Sequence, residues 1–331
     1  MTNSTPNDQP LVSVGMPLFN AERYLSIAID ALLVQDHPNL EIIFSDDAST
    51  DQTPAICQEY VSRDARCRYV RNDTNLGAAG NFNHVFKLSN GEFFMWASHD
   101  DVRHNTYIRR CLDVLLRHPA AVMCCTNAVF IDEFGERLNR ETTRPPIGGS
   151  VVERVNALTS VTDWIDVYGL LRRDALLATH GFQAQFGGDV ILTMELCLNG
   201  DVMHIPEQLW SVRIFTNKTA SEQAQTIIPF QAKKCLAVSY SDLSASFLRT
   251  ISYAKLPFRQ RFPALIRCLY NCSVSNPTLR YLIARDRSRP VHRAWKEKRY
   301  GDVLSLAILA MFVFFARALN RLRAPRINLE R

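Results

Sequence analysis

Between Leu11 and Ile131, short apolar runs alternate with longer stretches whose apolar residues recur at helical spacing. LVSVGMPLF is followed by AERYLSIAIDALLVQ, LEIIFSDDAS by TPAICQEYVSRDA, CRYVRND by AAGNFNHVFKLS, and GEFFMWAS by NTYIRRCLDVLLRH; AAVMCCTNAVFI then supplies a fifth strand. Strands that are apolar throughout are those buried on both faces, and parallel neighbours need a crossover connection between them. The order therefore predicts an α/β fold, an open and mostly parallel sheet flanked by helices. At 331 residues, 47% of them hydrophobic, the chain can bury a large core and still carry an extension. Its first ten residues, MTNSTPNDQP, lack the basic start and apolar stretch of a signal peptide and read as a disordered leader.

Open parallel sheets bind ligands beyond the carboxyl ends of their strands. Those positions are polar here: Pro17, Phe19 and Asn20 after the first strand, Asp46, Asp47, Ser49 and Asp51 after the second, Arg71, Asn72, Asn75 and Gly77 after the third, and His99, Asp100 and Asp101 after the fourth. Asp51, just before TPAIC, reads as a helix cap. The first turn, VGMPLFNAE, lacks G-x-G-x-x-G, and GKS or GKT occurs nowhere, which argues against dinucleotide-dependent dehydrogenases and P-loop NTPases. Carboxylates repel phosphate unless a divalent cation stands between them. A site of this kind predicts Mg²⁺ or Mn²⁺ with a nucleotide diphosphate completing its shell.

Four stretches, VSVGMPLFN, EIIFSDDASTDQT, NLGAAGNFN and FMWASHDDV, stand in the order and strand context of one family. Over residues 11–221 the chain resembles the inverting family 2 glycosyltransferases of GT-A fold, which use nucleotide-activated sugars, with HDD in place of the family's DxD. The resemblance implies that Pro17 and Phe19, with Asn20, shape the base pocket and that Asp47 or its neighbour Asp46 bonds the nucleobase. Asp100 would face the ribose or sugar and Asp101 the metal, and Asn75, Gly77 and Asn81 would border the donor. Gly80 stands where the family often has Arg, and Arg71 is the substitute cation. A uridine or thymidine donor is favoured because a carboxylate accepts from a pyrimidine N3–H.

Direct displacement needs a base on the acceptor side. Asp189, after two glycines and before VILTMELCL, matches the family's acceptor-side Asp, and also reads as an N-cap; Glu195 and Asp201 are rivals, the latter in a turn. By the same resemblance Trp164, Arg172 and Arg173 face the acceptor, a saccharide or lipid-linked hydroxyl. The family's usual His after VMHIPEQLWSVRIF is absent, leaving Arg213 or Lys218 as the phosphate clamp. Bacterial surface polysaccharide assembly is the implied role. Two alternatives carry the same carboxylates. A sugar-1-phosphate nucleotidyltransferase would need a glycine-rich basic loop after the first strand, yet GMPLFNAE has no cation before Arg23; an inactive sugar-nucleotide scaffold at the membrane would have little reason to keep Asp101 and Asp189.

The formal net charge of +5 hides two opposite parts: 21 Lys/Arg against 29 Asp/Glu up to Tyr253, giving −8, and 17 against 4 from Ala254 onward, giving +13. Residues 222–331 read as a helical C-terminal region. Within it VLSLAILAMFVFFA, residues 303–316, is too short to span a bilayer but flanked by cations, which predicts an anchor on an anionic membrane surface. No nucleic-acid module is visible. Nine cysteines without CxxC pairs fit a reducing compartment, so the expected location is cytoplasmic, peripheral on the inner face of the membrane.

Overall fold

The computed structural model describes residues 9–142, 147–161, 165–215 and 240–275, and the chain divides into two compact units, one of residues 1–148 and 165–237 and one of residues 149–164 and 238–331.

The first unit is the α/β body. Its elements are β1 (Val12–Leu18), α1 (Leu25–Leu33), β2 (Leu40–Asp46), α2 (Thr53–Arg63), β3 (Cys67–Arg71), α3 (Gly77–Leu88), β4 (Phe93–Trp96), β5 (Val102–Arg103), α4 (Tyr107–Arg117), β6 (Ala121–Ile131) and β7 (Arg137–Glu141). All five strands and four helices read from the alternating pattern are present. The second unit contributes α5 (Val151–Thr159), after which β8 (Leu170–Arg172), α6 (Arg173–Leu177), α7 (Gly188–Asn199) and β9 (Asp201–Arg213) complete the first.

The sheet order is β3-β2-β1-β4-β8-β6-β9-β5, with β7 paired to β6. The four N-terminal strands are parallel; β8 enters antiparallel between β4 and β6, and β6 pairs parallel with β9. The mostly parallel sheet thus turns mixed in its second half. Three residues, Leu170, Leu171 and Arg172, carry too short a pattern to announce a strand. β4 and β6 are buried along their whole length, and Val12, Val14, Met16, Ile42, Phe44 and Phe93 are fully buried, as sheets covered on both faces require. Fully burying such a side chain contributes about 1.5–3 kcal/mol.

In the second unit, α5 opens on a capping box in which Ser150 and Glu153 satisfy each other's backbone N–H groups. α8 (Tyr240–Tyr253) and α9 (Phe258–Tyr270) follow. Asn271, 1% exposed, donates from Nδ2 to Thr159 Oγ1 at 2.8 Å and to Asn156 Oδ1 at 3.1 Å, tying the end of α9 to α5. No helix among the described residues is long and apolar enough to cross a membrane; residues 303–316 lie outside them. The described cysteines are buried free thiols.

Candidate active site

β1 has β2 on one side and β4 on the other, so strand order turns at β1, where open α/β sheets leave a crevice. The carboxyl ends of β1 to β4 line one edge, and β6 and β9, which run the same way as β4, end there too. Pro17 is half-buried at the end of β1, and the Phe19 ring beyond it is 47% exposed. Asn20 turns the chain at φ 48°, a conformation Asn tolerates, and holds the next loop through Ser49 Oγ (2.9 Å) and the Thr50 N–H (2.9 Å).

The two aspartates after β2 diverge. Asp46, fully buried, accepts from the Ser49 N–H (2.9 Å) on one oxygen and from Tyr69 (2.7 Å) and Arg71 (2.8 Å) on the other. Asp47 accepts from Asn72 Nδ2 (2.9 Å) and the N–H groups of Leu76 (2.8 Å) and Gly77 (3.0 Å), so it caps α3 from 30 residues upstream. Asn75 completes that turn by bonding the Asp47 carbonyl and the Gly77 N–H, and Gly77 supplies the φ of +74° it needs. Asn81 accepts from Ser45 Oγ (2.6 Å) and donates to the Ser45 (2.8 Å) and Leu18 (3.3 Å) carbonyls, clamping β1 to β2. Asp46, Arg71 and Asn81, expected to touch the donor, make these hydrogen bonds within the protein, and the Arg71 side chain remains 44% exposed.

The carboxylates after β4 diverge as well. Asp101 is 8% exposed; Trp210 Nε1–H meets one oxygen at 3.1 Å and the Arg213 backbone N–H the other at 2.9 Å. Burial, helped by neighbouring Asp100, pushes its carboxyl up to about 7. Asp100 is half-buried, and its Oδ1 accepts from the Ser98 hydroxyl. Asp101, the expected metal ligand, thus has one protein hydrogen bond on each of its oxygens. Asp100 is the member of the pair with a carboxylate oxygen, Oδ2, that meets no donor among the described residues.

Gly187, at φ +71°, turns the chain into α7 and places Asp189 in its first turn. Burial pushes the Asp189 carboxyl above the ordinary carboxylate range, against the backbone N–H groups of the helix start. Its rivals have other work: Glu195 accepts from the His180 N–H and meets His180 Nδ1, both at 2.8 Å, and Asp201 opens β9 instead of lying in a turn. Tyr168 joins the two carboxylate sets. Its half-buried phenol is pushed up, first by desolvation and then by Asp189, Asp101 and Asp100.

The family model of glycosyl transferase family 2 matches residues 13–178. The chain belongs to this family. It is 33% identical to the putative glycosyltransferase EpsE of Bacillus subtilis over 132 residues, 40% of this chain and 48% of that one. It is also 33% identical over 115 residues to the putative teichuronic acid biosynthesis glycosyltransferase TuaG of the same organism, 35% of this chain and 46% of that one. The match thus spans about half the length of these relatives. Among solved structures, S. aureus TarS 1-349 in complex with UDP-GlcNAc superposes with a TM-score of 0.60 at 15% identity, covering 94% of this chain and 92% of that one. The mannosyltransferase PcManGT from Pyrobaculum calidifontis, in complex with GDP-Man and Mn²⁺, gives 0.55 at 15% identity, covering 96% and 88%. The fold is that of a GT-A glycosyltransferase.

Several residues fall elsewhere than expected. Because β8 runs antiparallel to β4 and pairs Arg172 with Phe93, Arg172 lies at the amino end of β4, away from Asp100. It bonds the Ala121 and Leu115 carbonyls, and Arg173 bonds Ser89, so neither borders the strand ends that carry the carboxylates. Arg213, expected as a phosphate clamp, is 8% exposed: its guanidinium bonds the Asp100 and Asp132 carbonyls and covers the Tyr24 ring at 4.4 Å, so it buttresses the carboxylate loop. Trp164 and Lys218 lie outside the described residues.

Three residues beside the candidate site escape sequence reasoning: Tyr168, Trp210 and Arg103. Arg103, 4% exposed, sits between the rings of Tyr107 (4.5 Å) and Trp210 (3.9 Å), and its charge opposes the upward shift of Asp101. The signal was present, since residues two apart on an extended segment share a face. The turn bearing Tyr168 is pinned at Asp166, which bonds His204 Nε2 at 2.9 Å through its carboxylate and accepts from the Cys125 thiol at its carbonyl. Cys125, Asp166 and His204 have potential ligand atoms within 4.8 Å of one another. A thiol and an imidazole suit a softer metal than the oxygen-seeking ions that accompany a diphosphate.

Proposed function

We propose that this glycosyltransferase is an inverting enzyme that binds a nucleoside-diphosphate sugar with Mg²⁺ or Mn²⁺ and passes the sugar to a hydroxyl activated by Asp189. The observation that carries the reading is Tyr168: its ring lies 5.9 Å from that of Trp210, which bonds Asp101, and the turn that bears it packs on α7, which carries Asp189. The elements that bear an acceptor-side base and a diphosphate-side carboxylate thus meet at one residue.

The donor set fits a hard divalent cation. Asp100 offers a half-exposed carboxylate oxygen beside a second carboxylate whose ionisation its charge opposes, and a bound cation would relieve that repulsion. Asp100 would hold the ion, and Asp101, fixed by Trp210 and Arg213, would hold the loop. When bound, such an ion neutralises charge that develops on the departing diphosphate. The base would lie against Pro17, Phe19 and Asn20, where an exposed aromatic ring can stack, on a floor shaped by Asp46 and Asp47 and by Asn75 and Gly77. A uridine donor is supported by TarS, a structure of the same fold holding UDP-GlcNAc, whereas PcManGT holds GDP-Man in that fold.

Asp189 takes the proton from the acceptor hydroxyl. The oxygen forms its bond to the anomeric carbon from the face opposite the leaving group, and the carbon–oxygen bond to the diphosphate breaks, which inverts that carbon. A carboxylate with a raised pKa is the better base for a hydroxyl near neutral pH. The acceptor class, a saccharide or lipid-linked hydroxyl in polysaccharide assembly, is supported by relatives such as TuaG.

The test is Asp189→Asn. Donor affinity, read by thermal shift with UDP-sugars and Mn²⁺, should hold, while transfer falls about 10²- to 10⁴-fold. Undiminished transfer would remove Asp189 from the chemistry, and transfer indifferent to EDTA would remove the metal.

A further inference from the structure

α9 carries apolar residues on two opposite faces. Ala264 and Cys268 are fully buried and pack inside the second unit. At the other side, spaced by four, stand Phe258 (67% exposed), Phe262 (49%), Ile266 (51%) and Tyr270 (47%). At 100° per residue these four fall within one third of the helix circumference, centred opposite Ala264 and Cys268. The Phe258 and Phe262 rings stack with centroids 5.4 Å apart at the start of this ridge. Water-facing helix surfaces are normally polar, so a ridge of this length marks a surface that meets something apolar.

The charge around the ridge identifies what. From Tyr253 to Tyr270 the sequence YAKLPFRQRFPALIRCLY holds Lys255, Arg259, Arg261 and Arg267 and no acidic residue. Lys255, Arg259 and Arg267 are exposed. Among the described residues of the second unit there are six cations against two anions, Glu153 and Asp242, neither of which is on α9. A protein partner with an apolar groove would satisfy the ridge but not the one-signed charge. An anionic bilayer satisfies both, since the apolar face enters the boundary between headgroups and acyl chains while the Lys and Arg side chains reach the phosphates.

We propose that α9 is a membrane-surface docking helix, with Phe258, Phe262, Ile266 and Tyr270 inserted at the interface of an anionic bilayer and Lys255, Arg259 and Arg267 on its headgroups. The proposal is independent of residues 303–316 and does not rest on the catalytic reading; a glycosyltransferase with a different base or metal would dock the same way.

Flotation of the full chain with phosphatidylglycerol/phosphatidylcholine vesicles tests it. Wild type should float with them at low salt, and only weakly with phosphatidylcholine alone. Phe258→Glu with Phe262→Glu should weaken partition at least about tenfold. Lys255→Glu with Arg259→Glu should weaken it on anionic vesicles and leave residual binding to neutral ones unchanged. These side chains are exposed, so circular dichroism and melting temperature should match wild type; if the aromatic pair unfolds, Phe262→Ser serves in its place with a smaller loss. Wild type that stays in solution would overturn the proposal, with the ridge covered by another part of the chain or by a protein. So would variants that float like wild type, since binding would then reside elsewhere, residues 303–316 included.

Discussion

An ionised Asp189 costs stability where a neutral one does not. In the unfolded chain its carboxyl titrates near 3.8, and in the folded enzyme burial holds it higher. Below the unfolded value it is protonated in both states and imposes no penalty. Between that value and the folded one the unfolded chain gives up the proton that the folded one keeps, so stability falls as pH rises, and above the folded value the loss is complete. Asn has the same size and no charge. Asp189→Asn is therefore expected to be more stable than wild type at about pH 8, with the gain shrinking toward zero near pH 4, as read by urea unfolding at both pH values. A variant that gains stability while losing turnover would mark a group held in an unfavourable state for its chemistry. One that loses stability at high pH would instead show that contacts of the carboxylate with the N–H groups of α7 outweigh its burial.

At the scale of elements, β9 does most to hold the loop between β4 and β5, because Trp210 and Arg213 both reach Asp101 from it. Trp210→Phe keeps an aromatic ring and removes one donor from a buried carboxylate. Its cost should be about 1–3 kcal/mol at pH 8, and smaller at pH 5, where Asp101, pushed up to about 7, is mostly neutral. Equal costs at the two pH values would show that the ring's packing matters and its N–H does not. These elements differ in how far the sequence betrays them. β1, β2, β4 and β6 are legible because burial on both faces demands an unbroken apolar run, and Asp100, Asp101 and Asp189 because carboxylates at strand or helix ends stand out from such runs. Three-residue β8 shows no period, and with it the position of Arg172 and Arg173 is lost. The cap of α3 comes from Asp47, a spatial neighbour, so no local motif precedes Gly77. Tyr168 and Trp210 look like core aromatics, and only the fold reveals that carboxylates face them.

At the scale of the molecule, Asp46, Asp47, Asp100, Asp101, Tyr168, Asp189 and Arg213 all belong to one compact unit, although the chain leaves that unit at Gly148 and returns at Ile165. α5, α8 and α9 belong to the other. A ligand that binds only the folded state protects the segments whose opening would destroy its site, by an amount set by its concentration over its Kd. UDP with Mn²⁺ should then slow amide hydrogen exchange at the ends of β1, β2, β4 and β9 and at the start of α7, and leave α8 and α9 near their unliganded rates. Anionic vesicles should do the reverse, slowing exchange between Phe258 and Tyr270 with little change around Asp100. Exchange measured by mass spectrometry with each ligand alone separates the two roles. Protection of α9 by the nucleotide as strong as that of the strand ends would mean that the units open together, and that donor binding and membrane docking are coupled in this enzyme.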